Sequence, residues 1–143
     1  MNKFISEDNL INLFSKKYGE EPPSREKWFE FYNEDVVFKD PTQEKYGLEA
    51  YINAQEKLIN RCDDFFLETH SFAINQKVGF LEWTLGLRIL NKEFIYPGTT
   101  RLIFDEYGKI KEHTDYFDFC GPTFKPIPIL GGFIKWLYNR FIA

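Results

Sequence analysis

The sequence predicts an α+β fold, with helices in the first part of the chain and a long curved antiparallel meander in the second. Three observations carry this. Apolar residues follow helical spacing as far as Asn60, apart from one short β-branched stretch; from Phe65 onward they alternate with polar neighbours; and turn residues divide that second part into hairpins. With 143 residues, of which 43% are hydrophobic, the chain suits one domain with a core of ordinary size.

Ser6 as an N-cap and Leu10, Leu13 and Phe14 as an apolar stripe predict a first helix ending near Tyr18-Gly19. Glu20-Glu21-Pro22-Pro23 is a rigid break. Ser24 then caps a second helix whose Trp28, Phe31 and Tyr32 share a face and serve core packing. Val36-Val37-Phe38 predicts a short strand ended by Asp40-Pro41, since proline cannot donate to a ladder. A third helix is expected over Leu48 to Asn60, introduced by Gly47.

Leu81, Trp83, Leu85, Leu87 and Ile89 mark one face of a strand, Asn91-Lys92 the turn after it, and Asp105 to Gly108 the next turn. Pro97-Gly98 within the middle run predicts a bulge or bend. The core of the domain is placed at about residues 8–120, and residues 121–143 form an extension ending in an amphipathic helix.

Charge and cysteine content narrow the function. A net charge of -4 and a pI near 5.3 give no basic footprint for nucleic acid. Cys62 and Cys120 have neither zinc nor redox spacing and read as reduced thiols of a cytoplasmic protein; two His and two distant Cys give no basis for a metal site. The start, Met1 to Asp8, turns acidic before any apolar run develops, which argues against a signal peptide, and no window reaches the length of a membrane span.

Two segments place ionisable side chains among aromatics: Phe31 to Pro41, and Gly108 to Asp118. A carboxylate facing an apolar interior must be paired, neutralised or used, so chemistry is sought there first. On the first strand Phe38 and Asp40 share a face; on the last, His113, Asp115 and Phe117 do. Aromatics at 19% suit either a bulky core or a ring-lined cavity.

The pattern Phe31-Tyr32-x-x-Asp35-x-x-Phe38-x-Asp40-Pro41, with Gly47, Trp83, Phe104-Asp105-x-x-Gly108-Lys109-Ile110 and Asp115, resembles the nuclear transport factor two-like superfamily, in particular its SnoaL-like and ketosteroid isomerase-like members. The resemblance implies a cone-shaped α+β barrel with an apolar cavity, no cofactor, and a homodimer formed through the sheet. It carries the isomerase general base to Asp40. It also places Thr100 where the isomerase keeps an oxyanion-binding aspartic acid, with Tyr18 the one loose candidate for its tyrosine, which argues against steroid isomerisation. SnoaL-like cyclases and related epoxide hydrolases place carboxylates on later strands, the position of Asp115.

The candidate catalytic set is therefore Asp40, Asp115 and His113, with Arg101 on the neighbouring strand to hold a carboxylate and Thr100 for polar support. Phe38, Phe66, Trp83 and Phe117 are the candidate ring lining for a small apolar or partly polar ligand. Each has a plainer alternative: Asp40 as a turn carboxylate before proline, Asp115 as an ion pair with Arg101 or His113, His113 as a hydrogen-bonded strand residue, and the rings as core. The function expected is a small-molecule-binding protein, as an isomerase, cyclase or hydrolase type of enzyme or as a non-catalytic binding module. The apolar stretch from Phe124 to Ala143 is expected to act as a lid or dimer contact rather than a membrane-surface contact, because interfacial helices are usually more basic.

Overall fold

A computed structural model describes residues 5–143; Met1 to Phe4, part of the segment that argues against a signal peptide, lie outside the described residues. Helix α1 spans Glu7–Leu13, where Ser6 accepts a hydrogen bond from the Asn9 N–H as expected of an N-cap. It ends well before Tyr18. The chain is instead diverted at Lys16, whose backbone forms a bridge with Leu67 through bonds of 2.9 and 2.8 Å. The Lys16 ammonium is buried and donates to Asp64 Oδ1 at 2.9 Å and to the Phe65 carbonyl at 2.8 Å, a tie that outweighs local helix propensity.

Helix α2 spans Arg25–Phe31 and strand β1 Tyr32–Asp40, so Tyr32 opens the strand rather than closing the helical stripe. β1 is longer than Val36 to Phe38, and it turns at Pro41 into a short antiparallel strand β2, Gln43–Tyr46, which the sequence reading does not anticipate. Helix α3, Leu48–Arg61, follows Gly47 closely as expected. Strands β3 (Asp64–Ile74), β4 (Val78–Ile89), β5 (Lys92–Phe104) and β6 (Ile110–Phe117) then form the meander, and α4 (Cys120–Phe124) and α5 (Leu130–Phe141) complete the chain.

The sheet order is β2-β1-β6-β5-β4-β3, curved and unclosed, and every adjacent pair is antiparallel except β1 and β6. That parallel pair sets Phe38 beside His113. Residues of α1, α2 and α3 lie across the cavity from the sheet's inner face, and Leu10, Val36, Ile52, Leu81, Leu102 and Ile110 are fully buried in the core.

No bulge occurs at Pro97-Gly98. β4 and β5 keep an unbroken register from Val78 opposite Ile103 to Ile89 opposite Lys92, with Trp83 opposite Gly98. The glycine serves the ring instead: a Cβ at residue 98 would come within 2.7 Å of Trp83 Cζ2. On the outer face Gly86 receives the ring of its partner Phe66 in the same way, with a Cβ reaching 2.6 Å from Phe66 Cδ1.

Two outcomes are expected. Gly98→Ala should cost about 1–3 kcal/mol of stability, measured by urea denaturation, because the Trp83 indole must leave its seat; an unchanged midpoint would contradict this packing. The Lys16 ammonium and the Gly19 N–H hold the Asp64 carboxyl down to about 2. A depressed carboxyl stabilises the fold above its unfolded value of 3.8 and loses that contribution as pH falls to about 2. Asp64→Asn should therefore lower stability at neutral pH and flatten its decline over that acidic window; parallel curves would refute the linkage.

Candidate functional site

Between the inner sheet face and the helices lies a cavity of about 750 Å³. Phe14 just after α1, Trp28 of α2, Phe38 of β1, Tyr51 of α3, Trp83 of β4 and Phe117 of β6 contribute to its walls. His113 stands among them with its ring centroid 5.6 Å from Phe14, 5.1 Å from Phe38 and 5.4 Å from Tyr51. It is 2% exposed, so its two ring nitrogens need protein partners.

They have them. Nδ1 lies 2.7 Å from the Tyr32 hydroxyl, which in turn lies 3.3 Å from the Tyr51 hydroxyl. Nε2 lies 2.7 Å from Asp115 Oδ1. The same oxygen accepts a 2.6 Å bond from the Thr100 hydroxyl, which accepts a 2.7 Å bond from Trp83 Nε1. The indole N–H only donates, so the Thr100 proton must point at Asp115. With Asp115 as a carboxylate and His113 as a neutral imidazole, the bonds run one way from both ends: Tyr51 to Tyr32 to His113 to Asp115, and Trp83 to Thr100 to Asp115.

Burial sets the state of the phenols. Loss of water, and beyond it the proximity of Tyr51 and of the Asp115 charge, pushes Tyr32 well above the usual range for tyrosine. Burial and the Asp115 charge likewise raise Tyr51. Both remain protonated donors through the neutral range. Asp115 keeps its second oxygen: Oδ2 takes no hydrogen bond among the described residues, and the side chain is 19% exposed at the cavity wall.

The structure thus gathers His113, Asp115, Thr100, Trp83, Phe38 and Phe117 on one cavity. Two candidates face elsewhere. Arg101 follows Thr100 on a regular strand, so it points to the outer face, where it pairs with Glu112 at 3.6 Å and cannot hold Asp115. Phe66 lies on the outer face against Gly86 and edge-on to Tyr18; its neighbours Phe65 and Leu67 line the cavity in its place. Tyr18 donates to Glu93 at 3.0 Å and carries the Arg88 guanidinium over its ring, away from any position as an oxyanion donor.

Asp40 borders the cavity, but its carboxylate is engaged in the turn that follows it. Oδ1 accepts from the Thr42 N–H (2.7 Å), the Thr42 hydroxyl (2.8 Å) and the Gln43 N–H (3.0 Å), and Oδ2 from Gln43 Nε2 (2.8 Å). That is the bonding of a turn aspartate. Tyr32 and Tyr51, which complete the buried relay, are absent from the sequence-based set because hydrophobic periodicity registers them only as apolar rings. The available signal was that a buried phenol needs a partner for its hydroxyl. His113 and Asp115 stand as a pair; among the described residues no third His, Cys, Asp or Glu joins them in a metal-binding arrangement.

No protein-family model and no curated protein matches the sequence. Solved structures do match. A protein described as a SnoaL-like polyketide cyclase from Jannaschia sp. CCS1 superposes with a TM-score of 0.70 at 14% identity, over 85% of this chain and 90% of that one. An NTF2-like protein of unknown function from Exiguobacterium sp. 255-15 matches with a TM-score of 0.62 at 14% identity, over 78% of this chain and 97% of the other. A protein with a ketosteroid isomerase-like fold from Catenulispora acidiphila gives 0.61 at 13% identity, over 76% and 82%. The chain has the α+β fold shared by nuclear transport factor two-like, SnoaL-like and ketosteroid isomerase-like proteins.

Proposed function

We propose that this protein binds a small apolar or partly polar molecule in the aromatic cavity and carries out acid/base chemistry on it through Asp115, without a cofactor. The observation that carries the reading is the division of labour on one carboxylate. Oδ1 is fixed by Thr100 and His113, while Oδ2 remains available at the cavity wall. A base held in one rotamer, with free lone pairs on a carboxylate that lines a ligand-sized cavity, supports a general-base reading.

In this reading Asp115 Oδ2 takes a proton from an acidic carbon of the ligand. In an isomerase it returns that proton at a second carbon as the double bond moves; in an aldol-type cyclase the carbanion adds to a carbonyl carbon of the same ligand, whose π pair moves to oxygen and takes up the proton. His113 is a positioning residue: its Nε2–H orients the carboxylate, and the Tyr32 and Tyr51 hydroxyls orient the imidazole. Trp83, Phe38 and Phe117 supply the apolar walls. Thr100 has committed its proton to Asp115, so it does not serve as an oxyanion donor. Asp40 shapes the turn at the cavity's border.

The test is α-proton exchange in heavy water, followed by proton NMR, on a panel of enolisable ketones and lactones. The wild type should accelerate exchange for at least one member, and Asp115→Asn should reduce that rate by about 10²–10⁴-fold. An Asp115→Asn rate equal to wild type would overturn the assignment. No acceleration by the wild type, together with a retained ligand in native mass spectrometry, would favour the non-catalytic binding module. Tyr32→Phe leaves the buried His113 Nδ1 without its partner and should cost about 1–3 kcal/mol in urea denaturation; a neutral effect would argue against the relay.

A further inference from the structure

Helix α5 is only partly covered by its own fold: Ile134 and Leu137 are half-buried, while the rest of its apolar side chains are exposed. Its sequence is amphipathic: Leu130, Phe133, Ile134, Leu137 and Phe141 recur at helical spacing, and Lys135 and Asn139 fall on the opposite side. No residue of α5 is buried and none lines the cavity, so it does not act as a lid in this structure. Ile129, Phe133, Trp136, Tyr138, Phe141 and Ile142 are each more than half exposed. An apolar surface of this kind on an otherwise acidic chain requires an occupant.

Charge identifies which one. From Phe119 to Ala143 the chain carries Lys125, Lys135 and Arg140 and no Asp or Glu, a tail of +3 on a protein whose net charge is -4. None of the three cations forms a salt bridge among the described residues. Two α5 helices packed through their apolar faces would set Arg140, at the edge of that face, into the contact with no carboxylate on either helix to offset it. An anionic lipid surface supplies the missing counter-charge, takes the aliphatic and phenylalanine side chains into its acyl boundary, and suits Trp136 and Tyr138 at headgroup depth.

We infer that α5 docks the protein on an anionic bilayer surface, in place of the lid or dimer contact expected from the sequence: its cations are few, but no carboxylate from Phe119 onward offsets them. The helix lies in the interface rather than crossing it; no described helix is long and apolar enough to cross. The segment leading into α5 also borders the cavity. Phe119 and Thr123 line it, and Thr123 Oγ1 lies 2.8 Å from the Tyr96 hydroxyl. Docking through α5 sets that side of the cavity close to the lipid. The inference needs no assumption about chemistry in the cavity.

The experiment is co-sedimentation of the full chain with phosphatidylcholine vesicles, with and without phosphatidylglycerol. Binding to the anionic vesicles should be roughly ten-fold tighter or more and should weaken with added salt. Because α5 contributes no buried residue, Phe133→Glu combined with Phe141→Glu should retain the wild-type circular dichroism spectrum and lose vesicle binding. Lys135→Gln with Arg140→Gln should remove the preference for anionic lipid. Equal binding to both vesicle types, unchanged binding by the Phe double variant, or a wild type that ignores vesicles would overturn the inference. In the last case, a dimer lost in sedimentation on Phe133→Glu would identify a second copy as the occupant.

Discussion

The structure is organised around a carboxylate oxygen at the edge of an aromatic interior. Removing a carboxylate from water is costly unless its lone pairs are met by donors. Here Asp115 Oδ1 is met from two directions, by Thr100 and by His113, and each of these is anchored further back by a group that is itself held in the core. The donors at the ends, Trp83 and Tyr51, belong to a strand and a helix on opposite sides of the cavity. Polar bonding therefore links the sheet to the helical layer through a space that apolar packing leaves open.

The backbone arrangement makes those contacts possible. The parallel pairing of β1 with β6 sets Phe38 beside His113 and Tyr32 beside Ile110, from where the Tyr32 hydroxyl reaches the imidazole. The unbroken register of β4 on β5 seats the Trp83 ring over Gly98 and aims its N–H at Thr100 two residues on, while β5 on β6 sets Thr100 opposite Asp115. A slip of one residue in any of these ladders would turn one partner to the outer face.

Alternation within a strand was the legible part of the sequence. It placed His113, Asp115 and Phe117 together, and Trp83 with Leu81 and Leu87, and the order of elements led to the correct fold class. The face of a strand relative to its neighbours was less legible. Phe66 and Phe65 are equally apolar, and only the gap at Gly86 on β4 selects Phe66 for the outer side. Thr100 and Arg101 are consecutive, so a regular strand admits one of them to the cavity. Asp40-Pro41 had the residues of both a base and a turn, and the bonding partners Thr42 and Gln43 belong to a hairpin that the alternation of so short a segment does not reveal. Tyr32 and Tyr51 illustrate another limit: periodicity counts a tyrosine as a ring, and its hydroxyl acquires meaning only once a partner is known.

Hydrogen bonds converge on Asp115, and that convergence fixes where the protons lie. With Asp115 as a carboxylate, His113 carries a proton on Nε2 and the Thr100 proton points to Oδ1. The most direct measurement is the nitrogen-15 spectrum of the His113 ring in the intact protein, assigned by its absence in His113→Gln. The convergent arrangement predicts a protonated, pyrrole-type Nε2. A bare, pyridine-type Nε2 with the proton on Nδ1 alone would reverse the relay and contradict the assignment of Asp115 as the base.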